Sequence, residues 1–239
     1  MFEVAAEKSA IVNHESLVRI KEIQAVTFDV GGTLIEPWPS VGHVYAEVAA
    51  SHGAANLSHE ELQRRFVTAF HRRARSIHSA EEWAEIVDET FAGLVAEPPS
   101  KTFFPDIYER FAQAAAWRIH PDVEPTLAAL AGRGLKLGVI SNWDGRLRPL
   151  LITLGLARSF ETMVVSCEVS ESKPAPAIFK KAAEQLHAPP DTILHVGDSF
   201  EMDVAGARTA GFKALQIERN AKPLHAGQIE SLLDLLPLV

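Results

Sequence analysis

The chain has 239 residues, 47% of them hydrophobic and 23% charged, with a formal net charge of −8. That balance suits a globular protein with a sizeable core, and the acids are spread along the chain, which argues against nucleic acid or an anionic membrane as partner. The single cysteine, Cys167, excludes an internal disulfide, and no apolar run reaches the roughly 18–20 residues of a membrane helix.

Residues 1–22, "MFEVAAEKSAIVNHESLVRIKE", scatter charges among apolar positions and do not read as a secretory signal. They are expected to form an N-terminal arm, and with the lone thiol they place the protein in the cytoplasm. The first strand is "IQAVTFD" (23–29), followed by "VGGTLIEP". Residues 38–118 carry no strand signal. Four helical segments can be drawn there, two of them opened by capping boxes, Ser58 with Glu61 and Ser79 with Glu82. "EPPSK" (97–101) is a loop within this stretch. About 80 residues are far more than the dozen or so a crossover needs, so 38–118 is expected to be an inserted helical module. Four more strands follow: "LKLGVIS" (135–141), "TMVVS" (162–166), "TILHVGD" (192–198) and "KALQI" (213–217). Each is apolar on both faces and separated from the next by a helical pattern, which implies an α/β fold with a Rossmann-like, mostly parallel sheet. The core is then 23–37 together with 119–239.

Ligands of such sheets bind at the carboxyl ends of the strands. Asp29 ends the first strand, Ser141 and Asn142 the second, and Gly197, Asp198 and Ser199 the fourth, with Asp203 five residues beyond Asp198. Lys173, in "ESKPAP", lies after the third. Each has a plain alternative: a helix cap for the aspartates, a turn for Ser-Asn, a solvated lysine before proline. Their joint occurrence, in this order at these strand ends, favours a site.

These residues fall in "DVGGT" (29–33), "VISN" (139–142), "SKPAP" (172–176) and "GDSFEMD" (197–203). In order and spacing they resemble the four motifs of the haloacid dehalogenase-like hydrolase superfamily, and 38–118 resembles its all-α helical cap. The likeness runs from about residue 23 to 220. It implies a hydrolase, expected to be a Mg²⁺-dependent phosphatase that acts on a small organic phosphate through an aspartyl-phosphate. By the same resemblance Asp29 is the nucleophile, with Ser141 and Lys173 completing the catalytic set. Gly32, Thr33, Ser141, Asn142 and Lys173 would hold phosphate. Asp29, the carbonyl of Gly31, Asp198 and Asp203 would hold the metal, Asp203 directly or through water. A hard cation among carboxylates suits that chemistry.

Gly31 departs from the pattern, because family phosphatases usually carry a second aspartate there as general acid, a contribution worth about 10²–10⁴-fold. Two alternatives therefore stand beside the phosphatase: a weakened member that binds phosphate or regulates, and a 2-haloacid dehalogenase-like hydrolase. The metal-free dehalogenases lack the Gly197-Asp198 pair. A carbon–phosphorus hydrolase would need a cap lysine, and Lys101 is the only one. Among smaller features, Trp38 is expected at the hinge, Asp144 as a helix cap, and Trp143 against either cap or substrate. His71, His78 and His120 are expected at the surface, and Cys167 is read as a small core residue.

Overall fold

The computed structural model describes residues 23–73, 79–219 and 224–239; the expected arm 1–22 and His78 lie outside them. Six parallel strands form the main sheet: β1 (Ala25–Phe28), β4 (Lys136–Ser141), β5 (Thr162–Val165), β6 (Ile193–Gly197), β7 (Lys213–Ile217) and β8 (Gln228–Ile229). Their spatial order is β5-β4-β1-β6-β7-β8. β1 is central, pairing Val26 with Leu137 on one side and Leu194 on the other. All four of its residues are buried. The five expected strands are present and parallel. The sixth, β8, adds two residues at the edge, too short to leave a pattern.

Helices cover both faces. α5 (Val123–Gly132) and α6 (Leu147–Thr153) lie on one side, and α8 (Pro176–Leu186) with the short α9 (Gly206–Thr209) on the other; α7 (Ser166–Val169) is a single turn after β5. Two apolar clusters result. One joins Phe28, Leu127 and Leu150, and the other joins Ile140, Phe179 and Ala207 across the sheet. Gly211, at φ +90°, ends the run after α9 as its position predicts.

Between β1 and β4 stand α1 (Val41–Ser51), α2 (His59–Arg73), α3 (Ala80–Phe91) and α4 (Phe104–Arg110). They have their own core around Tyr45, whose ring meets Phe66 at 5.9 Å and Phe91 at 5.6 Å. The Ser79–Glu82 capping box forms in both directions. At Ser58 only half of the expected box is present. Its hydroxyl accepts from the Glu61 amide, but the Glu61 carboxylate pairs with Arg64 and Arg65 instead.

The expectation of a strand-free 38–118 needs one correction. β2 (Ile35–Pro37) and β3 (Trp117–Ile119) form an antiparallel pair where the chain leaves and rejoins the sheet, matching Ile35 to Ile119 and Pro37 to Trp117. Three-residue strands containing proline carry too little alternation to be read beforehand. Trp38 adjoins this two-stranded sheet, with the Arg118 guanidinium 3.6 Å over its ring. His120 is corrected as well. It is buried just after β3, whereas His71 is exposed.

Candidate active site

The carboxyl ends of β1, β4 and β6 meet at one point, because β1 lies between the other two. The amide of Asp29 continues the sheet by donating to the Val196 carbonyl at 2.9 Å, which fixes the residue at the strand end. The chain then turns through Gly31 and Gly32. Gly32 has φ +75°, and a Cβ there would stand 2.3 Å from Oδ2 of Asp198, so conformation and close approach both require glycine.

Oδ1 of Asp29 accepts from the Ser141 hydroxyl at 3.0 Å and from Lys173 Nζ at 2.6 Å. The same ammonium donates to Oδ1 of Asp203 at 2.6 Å. Lys173 is itself buried and placed by Asn142, whose side-chain amide donates to the Lys173 carbonyl at 2.9 Å and accepts from its amide at 2.8 Å. The side-chain amide of Asn142 is thus spent on the lysine backbone, while the residue itself lines the cavity beside Ser141.

After β6 the chain forms a π-helical turn, Phe200–Ala205, capped by Ser199. The turn carries Asp203 back beneath Gly197, so close that a Cβ on that glycine would lie 2.2 Å from the Asp203 carboxyl carbon. Both Asp203 oxygens are engaged. Oδ1 meets Lys173 and His195 Nε2 at 3.2 Å, and Oδ2 accepts from the Ser199 amide at 2.9 Å. His195 is wholly buried in β6, and its Nδ1 faces the Thr27 hydroxyl at 2.9 Å. Burial holds this imidazole below its usual pKa and hence neutral. Nε2–H then donates to Asp203 while Nδ1 accepts from Thr27. His195 is not among the site residues expected from the sequence. The available signal was a polar residue inside a strand buried on both faces.

Electrostatics separate the three carboxylates. Burial raises Asp29 above the ordinary range even though Lys173 opposes it. Burial, reinforced by repulsion from Asp29, pushes Asp198 up to about 7; its side chain opens onto the cleft while the walls of the site enclose it. Asp203 is held low, Lys173 and His195 together overcoming its burial. Lys173 is held high, since the two carboxylates outweigh the cost of burying its charge. Oxygen atoms of Asp29, Asp198 and Asp203 lie within 4.8 Å of one another. Three carboxylates face one ammonium, and the donors are all hard oxygens. The set therefore fits a small divalent cation such as Mg²⁺.

Above the carboxylates lies a cavity of about 630 Å³, roofed by α1–α4 and floored by the strand ends. Asp29, Gly31, Gly32, Ser141, Lys173 and Asp198 all line it. Thr33 does not. It is fully buried below the loop, its hydroxyl unpartnered and its carbonyl accepting from Arg219 at 2.6 Å, which corrects its expected place on phosphate. The turn at Gly32 directs it inward. Trp143 lines the cavity and also meets Trp117 of β3 at 5.2 Å, so it packs at the helical roof. Asp144 accepts from the Arg146 amide at 3.0 Å and pairs with the Arg146 guanidinium, at the entrance to α6. Cys167 is half-buried, with its thiol pushed up by burial.

The haloacid dehalogenase-like hydrolase family model matches residues 23–211. The mouse (Mus musculus) haloacid dehalogenase-like hydrolase domain-containing protein 3 is 30% identical over 222 residues, covering 88% of this chain and 87% of that protein. A glyceraldehyde 3-phosphate phosphatase from Methanopyrus kandleri is 37% identical over 106 residues, covering 42% of this chain and 43% of its own. Among solved structures, a HAD phosphatase from Thermococcus onnurineus superposes with a TM-score of 0.64 at 27% identity, over 89% of this chain and 96% of its own.

Proposed function

The chain belongs to the haloacid dehalogenase-like hydrolase family, and from that membership we propose that it is a Mg²⁺-dependent phosphatase acting on a small organic phosphate. The observation that carries this reading is the convergence of three carboxylates, Asp29, Asp198 and Asp203, two of which share the buried ammonium of Lys173. The phosphatase relatives support it over the part of the chain they match.

Asp29, Asp198 and, directly or through water, Asp203 would hold Mg²⁺, with the Gly31 carbonyl as a further ligand. The bound ion would supply positive charge to the phosphoryl oxygens. With Oδ1 of Asp29 held by Ser141 and Lys173, Oδ2 is the oxygen presented to phosphorus. Its lone pair forms the new O–P bond as the ester P–O bond breaks, and the leaving oxygen departs with that electron pair. Water then attacks the aspartyl-phosphate, phosphate leaves, and the Asp29 carboxylate is restored. Lys173 keeps positive charge beside the reacting oxygens throughout, and Asn142 and Asp203 hold it there. The helical roof keeps bulk water from the cleft.

Phosphate release from a panel of esters, with Mg²⁺ and with a chelator, tests this reading. Mg²⁺-dependent release is expected. If phosphate binds but no ester turns over, Gly31 has cost the protein its catalysis and the alternative of a phosphate-binding relative takes its place.

A further inference from the structure

The walls of the cavity are unusual for a site that receives a dianion. Apart from the carboxylate floor and Lys173, they are built chiefly from rings, among them Tyr45, Phe66, Phe70, Tyr108, Trp117 and Trp143. Tyr45 meets Phe66 edge-on, and Trp117 meets Trp143 at a tilt, so the rings brace one another around the cavity. Its volume falls within the range of about 300–1,000 Å³ that holds small organic ligands.

The cation nearest this wall is already occupied. Arg146 lies over the Tyr108 ring at 3.5 Å and donates to the Tyr108 carbonyl at 2.7 Å. Its Nε and Nη2 reach the two Asp144 oxygens at 2.9 and 2.6 Å. Asp144 is buried and Arg146 only partly exposed, so this guanidinium is neutralised in place and offers little to an anionic group on the substrate. Glu201 also lines the cavity, so its wall adds an acidic side chain and not a further cation.

The third observation concerns the leaving oxygen. A Cβ on Gly31 would stand 3.4 Å from Cζ3 of Trp143, so an indole ring faces the position where a side-chain acid would have projected. The aromatic wall reaches down to the reacting centre, and position 31 supplies no side-chain acid there. A leaving group that departs there must be a weak base. Phenol-type hydroxyls ionise near 10, whereas an alcohol is close to the 15.7 of water.

Taking the phosphatase reading as given, we propose that the substrate is an aryl phosphate, a phosphate monoester of a phenol-type hydroxyl whose uncharged ring fills the aromatic cavity. The overall reaction is ArOPO₃²⁻ + H₂O → ArOH + HPO₄²⁻. The aryl oxygen takes the electron pair of the broken P–O bond and then a proton from water.

The test compares phenyl phosphate with acetyl phosphate, which has the better leaving group and no ring, and with 4-carboxyphenyl phosphate, which has the ring and a second charge. Phenyl phosphate is expected to show a KM lower than either by about 10-fold or more. Phenylphosphonate should inhibit more tightly than methylphosphonate by a similar factor, a comparison independent of leaving-group chemistry. Phe70→Ala and the milder Phe70→Leu should both narrow the phenyl-to-acetyl ratio of kcat/KM. Equal KM values for phenyl and acetyl phosphate, with the two phosphonates binding alike, would overturn the aryl assignment and leave the phosphatase standing. If none of the three phosphates is hydrolysed with Mg²⁺ present, the phosphatase reading falls and the aryl assignment falls with it.

Discussion

The ammonium of Lys173 stands 2.6 Å from Oδ1 of Asp29, and the same nitrogen stands 2.6 Å from Oδ1 of Asp203, in a site where the lysine is 3% exposed. One buried cation thus holds two buried carboxylates. Lys173→Met keeps the bulk and removes the charge, leaving both acids without it. In the absence of divalent cations the variant is expected to lose about 3–5 kcal/mol of stability, the usual cost of stripping one partner from a buried pair. Urea denaturation with chelator present measures this. A stability equal to wild type would mean that the lysine does not hold the two acids.

Asp198 differs from its neighbours in having no lysine beside it and in being pushed up to about 7 by burial and the adjacent Asp29. Asp198→Asn should relieve that repulsion and so preserve or raise the metal-free stability. It should also weaken Mg²⁺ binding, because a hard cation loses an anionic ligand. Titration calorimetry checks the affinity. Unchanged Mg²⁺ binding would remove Asp198 from the ligand set.

Gly31 leaves the departing oxygen without a side-chain acid, so log(kcat/KM) for a series of esters should fall steeply as leaving-group pKa rises. Gly31 lies outside the left-handed region, and a Cβ there meets only Trp143, at 3.4 Å, so the backbone admits a side chain at this position. Gly31→Asp is expected to flatten the slope and favour alkyl esters by up to about 10²-fold. A flat slope in the wild type, with chemistry limiting the rate, would show that another group already gives the proton.

Residues whose position depends on strand order alone were legible in the chain. Asp29, Ser141, Lys173, Asp198 and Asp203 sit at or just after strand ends, and β1 between β4 and β6 brings them together. Thr33 was misplaced for a local reason: the Gly32 turn sends it inward, away from the cavity. The Arg146–Asp144–Tyr108 contact and the aromatic wall arise where α1–α4 dock on the sheet, a relation between segments far apart that periodicity does not carry. His120 reads as polar and exposed, but it follows the paired strands β2 and β3, its amide donating to the Leu34 carbonyl, and is buried there.

That burial has a pH consequence. Burial, with Arg219 nearby, holds His120 below its ordinary pKa despite Glu36 and Asp122. As pH falls, the unfolded chain therefore takes up the proton first. The stability gained by keeping His120 neutral is complete above the unfolded value of about 6.5 and is lost progressively below it. His120→Gln should flatten the acid side of the stability–pH curve, as urea midpoints measured from neutral pH downward would show. Parallel curves for variant and wild type would contradict this.

The most direct measurement is phosphate release from phenyl phosphate by wild type and Asp29→Asn, each with Mg²⁺ and with chelator. Asn keeps the shape of the side chain but cannot attack phosphorus as a carboxylate does. Wild type is expected to release phosphate only with Mg²⁺, and Asp29→Asn to remain at background in both conditions with its thermal transition intact. Release by a folded Asp29→Asn within about tenfold of wild type, or undiminished wild-type release in chelator, would contradict an Asp29 nucleophile working in a metal-bearing carboxylate site.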